Sequence, residues 1–166
     1  MFEKLNTPED VFHFKLGAAL TMENNVLEML GELESEARHD ELKRLFRHHA
    51  DETRRQIANI ERSFELLGQD VDDFACPTIH ALDKEGKVTI KKTEESIVDA
   101  VILAGATETE HHEIAVYETL ITNAEARGAT EVAKLLRQNL EQEQHTLEEV
   151  KGIAHRLAHE GYAVAA

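Results

Sequence analysis

Along four stretches of this chain, apolar residues recur at intervals of three and four, the signature of helices with one buried face. The first stripe is Phe12, Leu16, Ala19, Glu23, Val26 and Leu30, and the second is Leu42, Leu45, His49, Glu52, Gln56 and Ile60. The third is Leu103, Ala106, Glu110, Glu113, Tyr117 and Leu120, and the fourth is Val132, Leu136, Leu140, Glu143, Leu147 and Val150. Capping signals bound the helices at about residues 8–37, 40–67, 94–127 and 131–160. Thr7 before Pro8, Glu9 and Asp10 supplies a cap, a first-turn proline and acids beside the positive helix end. Asp40, Thr93 with Glu94 and Glu95, and Thr130 with Glu131 mark the later starts, while Gly68 and Gly128 suit left-handed caps.

Only a few residues join the first helix to the second and the third to the fourth, so each pair forms an antiparallel hairpin. Residues 68–93 between the hairpins can span a bundle length. Within them, Lys87-Val88-Thr89-Ile90-Lys91 alternates with a period of two, which reads as an extended crossover with the option of a short strand. Two helical hairpins joined by one long crossover make an all-α, ferritin-like antiparallel four-helix bundle, here one domain over residues 1–166.

Composition narrows the function classes. The 166 residues, 42% of them hydrophobic, suffice for one full core, and the two prolines leave the long helices uninterrupted. A formal net charge of -15 repels nucleic acid and anionic membrane surfaces, so neither is an expected partner. The chain contains no run of about 20 apolar residues, the length a membrane-spanning helix needs. The single Cys76 excludes an intrachain disulfide framework and, with no signal peptide visible, fits a reducing, cytoplasmic compartment.

Acid interrupts all four stripes near their middles. Residues equidistant from a hairpin turn lie level. Glu23 and Glu52 are each about 14 to 15 residues from a turn near residue 38, and Glu110 and Glu143 about 16 to 17 from one near residue 127. The matched layout suggests a two-fold internal repeat. A single Glu in a helical seam is usually salt-bridged or partly exposed. Several converging in one layer repel one another, and each costs several kcal/mol to bury unpaired. Two divalent ions carry four positive charges and would neutralise four carboxylates. Carboxylate oxygen suits iron and manganese, and imidazole suits iron and zinc. The expected cofactors are therefore two metal ions, iron first, with manganese or zinc as alternatives. The expected metal residues are Glu23, Glu52, Glu110, Glu113 and Glu143. His49, Gln56, His112 and Tyr117 are candidate ligands or hydrogen-bond partners of ligands. The competing reading is a metal-free network of the glutamates with His49, Gln56 and Arg55.

At these residues the chain resembles the YciE/YciF ferritin-like stress-protein family. The resemblance runs from Pro8-Glu9-Asp10-Val11-Phe12 to the end of the fourth helix. It passes through the string His49 to Gln56, Cys76-Pro77, the string Glu110 to Tyr117, and Leu140-Glu141-Gln142-Glu143. It implies an all-helical ferritin-like fold, a rubrerythrin-like dimetal site, homodimers and a bacterial stress-response role, without a defined reaction. The chain departs from the family at His112, where Tyr is usual, at Gln142 and Gln144, where an acid and a Lys are common, and at Met22, where a small residue is usual. Better-known ferritin-like enzymes carry a His three residues after the Glu. Here those positions hold Arg55 and Thr146, so the carboxylates carry the argument more than any histidine.

A second stripe on the first helix, Val11, Phe14, Ala18, Met22 and Met29, with Gly17 and Ala18 permitting close approach, suggests a homodimer seam. The alternative is a wide face contacting two neighbours in the same bundle. Glu108 and His111 have metal spacing but lie off the seam, and His155 with His159 is an i, i+4 pair near a fraying end. Cys76 has no resolving cysteine, which favours a structural role. Two function classes follow. One is a di-iron redox protein that oxidises ferrous iron or consumes oxygen or peroxide. The other is a non-catalytic structural or interaction protein with an empty or zinc-filled site. Iron storage would require a hollow cage.

Overall fold

The structure, a computed structural model, describes residues 4–165, with side chains up to residue 160. Its elements are α1 (Pro8–Glu36), α2 (Asp40–Leu66), α3 (Pro77–Ile90), a 3-10 turn (Glu95–Ile97), α4 (Val98–Ala126) and α5 (Thr130–Ala165). Helices α1 and α2 form one antiparallel hairpin and α4 and α5 the other. They pack with α2 against α5 and α1 against α4. The fold is all-α, and each seam stripe faces the shared core: Phe12, Leu16, Leu42, Ile60, Leu120, Leu136 and Val150 are at most 1% exposed.

Local chemistry sets the helix ends. Thr7 Oγ1 accepts from the Asp10 amide at 3.1 Å, and the Asp10 carboxylate accepts from the amides of Thr7 at 2.9 Å and Asn6 at 2.8 Å. The Asn6 amide first, then the Thr7 hydroxyl and amide, hold the Asp10 carboxyl below its ordinary value. Helix α2 starts differently. His39 makes no cap with its own side chain, and the Asp99 carboxylate from the first turn of α4 accepts instead from the amides of Arg38 at 2.8 Å and His39 at 2.9 Å. Gly68 and Gly128 both adopt positive φ, at 67° and 75°, where an L side chain would be strained.

The crossover differs from the extended path expected of it. Residues 77–90 form a helix packed against α4 and α1. Ile79 is fully buried, Leu82 and Ile90 are partly buried, and Val88 is 42% exposed, which is a three-and-four spacing rather than an alternation. Pro77 at the first helical position was the available start signal. Lys87 ties this helix to α1 through Glu32 at 3.0 Å. The fourth long helix also runs past residue 160, and α4 opens at Val98 after the 3-10 turn rather than at residue 94.

The crossover covers much of the second stripe on α1. An added Cβ at Gly17 would lie 2.5 Å from Phe74 Cδ2 and 2.7 Å from the Asp72 carbonyl oxygen. Phe14 packs on Phe74 with ring centroids 5.2 Å apart, and Met22 is fully buried within the chain. The small residue at position 17 thus admits the crossover backbone. Gly17→Ala should destabilise by about 1 to 3 kcal/mol through overpacking. Gly31→Ala, where nothing lies within 4 Å, should be neutral or stabilising by about 0.5 to 1 kcal/mol. Thermal melts of the two variants check the contrast, and equal shifts would refute it.

Candidate metal centre

The polar layer is built from the middles of four helices. Helix α1 supplies Glu23, α2 supplies His49, Glu52 and Gln56, α4 supplies Glu110, Glu113 and Tyr117, and α5 supplies Glu143. Apolar turns above and below exclude water, leaving Glu23, Gln56, Glu113 and Glu143 fully buried, Glu110 at 4% and Glu52 at 8% exposure. The five acids that the seams singled out are thus all buried at mid-helix, and three of them, Glu110, Glu113 and Glu143, fall with His49 in one metal-sized cluster, while Glu23 and Glu52 lie outside it.

His49 stands at the centre. Its Nε2 lies 3.3 Å from Glu110 Oε1 and 3.4 Å from Glu143 Oε2. Its Nδ1 lies 3.1 Å from Thr146 Oγ1 and 3.5 Å from Glu52 Oε2. His49, Glu110, Glu113 and Glu143 each present a ligand-type atom within 4.8 Å of the others, a cluster that could hold a metal ion. Glu23 is held from the other side, where the Tyr117 hydroxyl donates to its Oε1. The Asn139 amide in turn donates to the Tyr117 oxygen at 3.0 Å and to the Gln56 carbonyl at 3.2 Å.

The remaining candidates separate. Gln56 is fully buried at the layer, and among the described residues neither of its amide atoms finds a partner. His112 is half-buried and turned away, with Nε2 3.9 Å from Cys76 Sγ, outside the cluster. Glu108 and His111 are exposed, as are His155 and His159. Arg55 reaches only 3.9 Å from Glu52 Oε1 with its side chain 57% exposed. Asn139 and Thr146 were missed, although both lie on the α5 seam, four residues before and three after Glu143. Their only sequence signal was a polar residue on a buried stripe.

This geometry is hard to stabilise without a cation. Among the described residues, no hydrogen-bond partner reaches Glu23 Oε2, Glu52 Oε2, Glu110 Oε2, or either oxygen of Glu113 and Glu143. Burial pushes Glu23 up to about 7 against the opposing Tyr117 hydrogen bond. Burial, then the charges of Glu143, Glu23 and Glu110, hold Glu113 well above the ordinary carboxylate range. Burial also raises Glu143, although His49 pulls it the other way. Burial disfavours the His49 imidazolium, but Glu110, Glu52 and Glu143 outweigh it and hold its pKa well above the usual value. One imidazolium cannot balance five acids, so most of the layer must carry protons or face cations.

The sequence pattern of the family described as Domain of unknown function (DUF892) matches residues 7–163. The chain belongs to this family. Within DUF892, Protein YciF of Escherichia coli (strain K12) is 34% identical over 144 residues, covering 86% of this chain and 87% of YciF. The crystal structure of that protein, described there as a stress protein, superposes with a TM-score of 0.85 at 30% identity, covering 90% of this chain and 96% of the other. YcfI of Rhodopseudomonas palustris, provisionally described as a structural protein, superposes with a TM-score of 0.88 at 30% identity, covering 91% and 97%. A Xanthomonas campestris protein superposes at 0.74 with 25% identity, covering 92% and 94%. The helical hairpins and crossover of this DUF892 chain are thus shared with solved relatives.

The raised carboxylates set a pH dependence for metal-free protein. Between pH 4.5 and about 7 the folded state holds protons on Glu23, Glu113 and Glu143 that the unfolded chain releases, so stability falls as pH rises. The raised His49 adds a loss in the same direction above pH 6.5. Glu52, held below its ordinary value first by the neighbouring His49 imidazole, acts oppositely, but only as pH falls below 4.5. Glu23 alone accounts for a loss on the order of 3 kcal/mol between pH 4.5 and 7. Denaturant unfolding of chelator-treated protein at pH 5, 6, 7 and 8 should show this decline, and Glu113→Gln should flatten it. A stability that rises across this range would contradict the arrangement.

Proposed function

We propose that this chain is a cytoplasmic dimetal carboxylate protein of the bacterial stress response, holding two iron ions and oxidising ferrous iron or consuming dioxygen or peroxide. The observation that carries the reading is the set of unpaired, buried carboxylate oxygens converging on His49. Oxygen-rich donors with one imidazole suit iron or manganese better than a soft thiophilic metal. Glu23, Glu52, Glu110, Glu113 and Glu143 with His49 would hold the pair, which when bound supplies two-electron reduction of dioxygen or peroxide.

The chain's own contribution is positional. Thr146 fixes the His49 ring through Nδ1, which aims Nε2 at Glu110 and Glu143. Tyr117 orients Glu23 by donating to one of its oxygens, and Asn139 holds the Tyr117 oxygen in place. Glu113 keeps both oxygens free, which suits a carboxylate that changes its binding mode as the site is filled.

A second reading is a non-catalytic structural or interaction protein with an empty or zinc-filled site, favoured by the provisional description of the Rhodopseudomonas palustris relative. Elemental analysis of protein purified without chelator, followed by peroxide and oxygen consumption assays, separates the two. Iron with turnover supports the first, and zinc or no metal without turnover supports the second. Stability gives an independent check. Glu113→Gln should raise the melting temperature of chelator-treated protein at pH 7 and lower that of metal-loaded protein, because a ligand is lost and metal stabilises the folded state by mass action. A variant destabilised equally in both states would favour the metal-free network.

The same proposal includes a homodimer through α1. Val11, 39% exposed, is the part of the second stripe that the crossover leaves open. Val11→Glu should convert dimers to monomers in sedimentation, and an unchanged sedimentation coefficient would place the contact elsewhere.

A further inference from the structure

Among the described residues, Glu52 belongs both to the layer and to the lining of a surface cavity that opens between α2 and α5. Arg55 lines it from α2, and Glu141, Gln142 and His145 line it from α5. Glu52 spans the wall between cavity and layer. Its Oε1 lies 3.6 Å from His48 Nε2 and 3.9 Å from Arg55, both on exposed side chains, and its Oε2 lies 3.5 Å from the buried His49 Nδ1.

We propose that this cavity is the passage by which a ferrous or manganous cation reaches the buried layer, with the Gln142 oxygen and the Glu52 carboxylate as successive ligands on the way in. The proposal rests on the dimetal reading above. Its physical basis is that Glu52 faces both the cavity and the layer, with further open oxygens to either side. Among the described residues, Gln142 Oε1 and Gln56 Oε1 are buried oxygens with no hydrogen-bond partner, and Glu52 Oε2 meets His49 Nδ1 at 3.5 Å. Glu52 is 8% exposed, and Gln56 is fully buried. A cation shedding its water needs such oxygens in sequence. The cavity carries two carboxylates, Glu52 and Glu141, against the one guanidinium of Arg55. The chain as a whole carries -15, which raises the cation concentration at its surface.

The opposite approach is unsuited. The groove between α1, α3 and α4 is lined by none of the five acids of the layer, and two of its own carboxylates, Glu32 and Asp83, are each paired with Lys87 at 3.0 Å.

Cobalt(II), coloured when bound and not oxidised by air on this timescale, serves as the probe. Chelator-treated full-length protein is mixed with it in a stopped-flow instrument, and the visible absorbance is followed to completion. Gln142→Lys should slow uptake roughly tenfold and Gln142→Glu should speed it, with the difference shrinking at high salt. The final amplitude should be the same in all variants. Gly86→Lys, which places the same charge beside the groove between α1, α3 and α4, where nothing lies within 4 Å of its Cβ, should match wild type. Cobalt that binds at equal rates in all four proteins overturns the passage and leaves the dimetal reading standing. Cobalt that fails to bind at saturation overturns the dimetal reading, and the passage falls with it.

Discussion

The repulsion among five buried acids around one imidazole is the constraint to which the rest of this fold answers. A four-helix bundle could close around Leu or Ile at those positions with better packing and no electrostatic penalty. Instead, each long helix surrenders its middle turn, and the apolar turns on either side must supply the stability. That explains why the core separates into layers of Phe, Leu, Ile and Val above and below the acids. It also explains why the few hydrogen bonds inside the layer are made by groups that hold the acids in place, Tyr117, Asn139 and Thr146, rather than by groups that neutralise them.

The crossover makes the bundle two-sided. Helix α3 and the segment before it lie over α1 and α4, so that face is thickened by an extra layer of chain. Among the described residues, the α2 and α5 face carries no such cover. Any exchange between the layer and solvent is therefore biased to one side. The bias originates in chain connectivity, because a single long connection can shield only one flank.

How much of this was legible beforehand follows from what kind of physics decides each feature. The four long helices and the burial of Glu23, Glu52, Glu110, Glu113 and Glu143 at mid-helix were readable because both rest on periodicity and on hairpin symmetry, which are properties of the string. The helix at 77–90 was misread because five residues of alternating polarity at its end were weighed above Pro77 and the spacing of Ile79, Leu82 and Ile90. The contact of Gly17 with Asp72 and Phe74 could not be read, since a small residue on a helix shows that something approaches but not what. The central place of His49 was left open for a related reason. Whether a seam histidine enters a cluster depends on which rotamer its partner, here Thr146 on another helix, makes favourable.

The capping of α2 by Asp99 has a consequence for biosynthesis. The amides of Arg38 and His39 find their acceptor 61 and 60 residues later, in the other hairpin. A growing polypeptide leaving the ribosome therefore presents its first hairpin with an unfinished helix start and with two core acids, Glu23 and Glu52, lacking their counterparts. That hairpin gains its cap only once residue 99 has emerged, and closure of the bundle is in this sense a late event of synthesis.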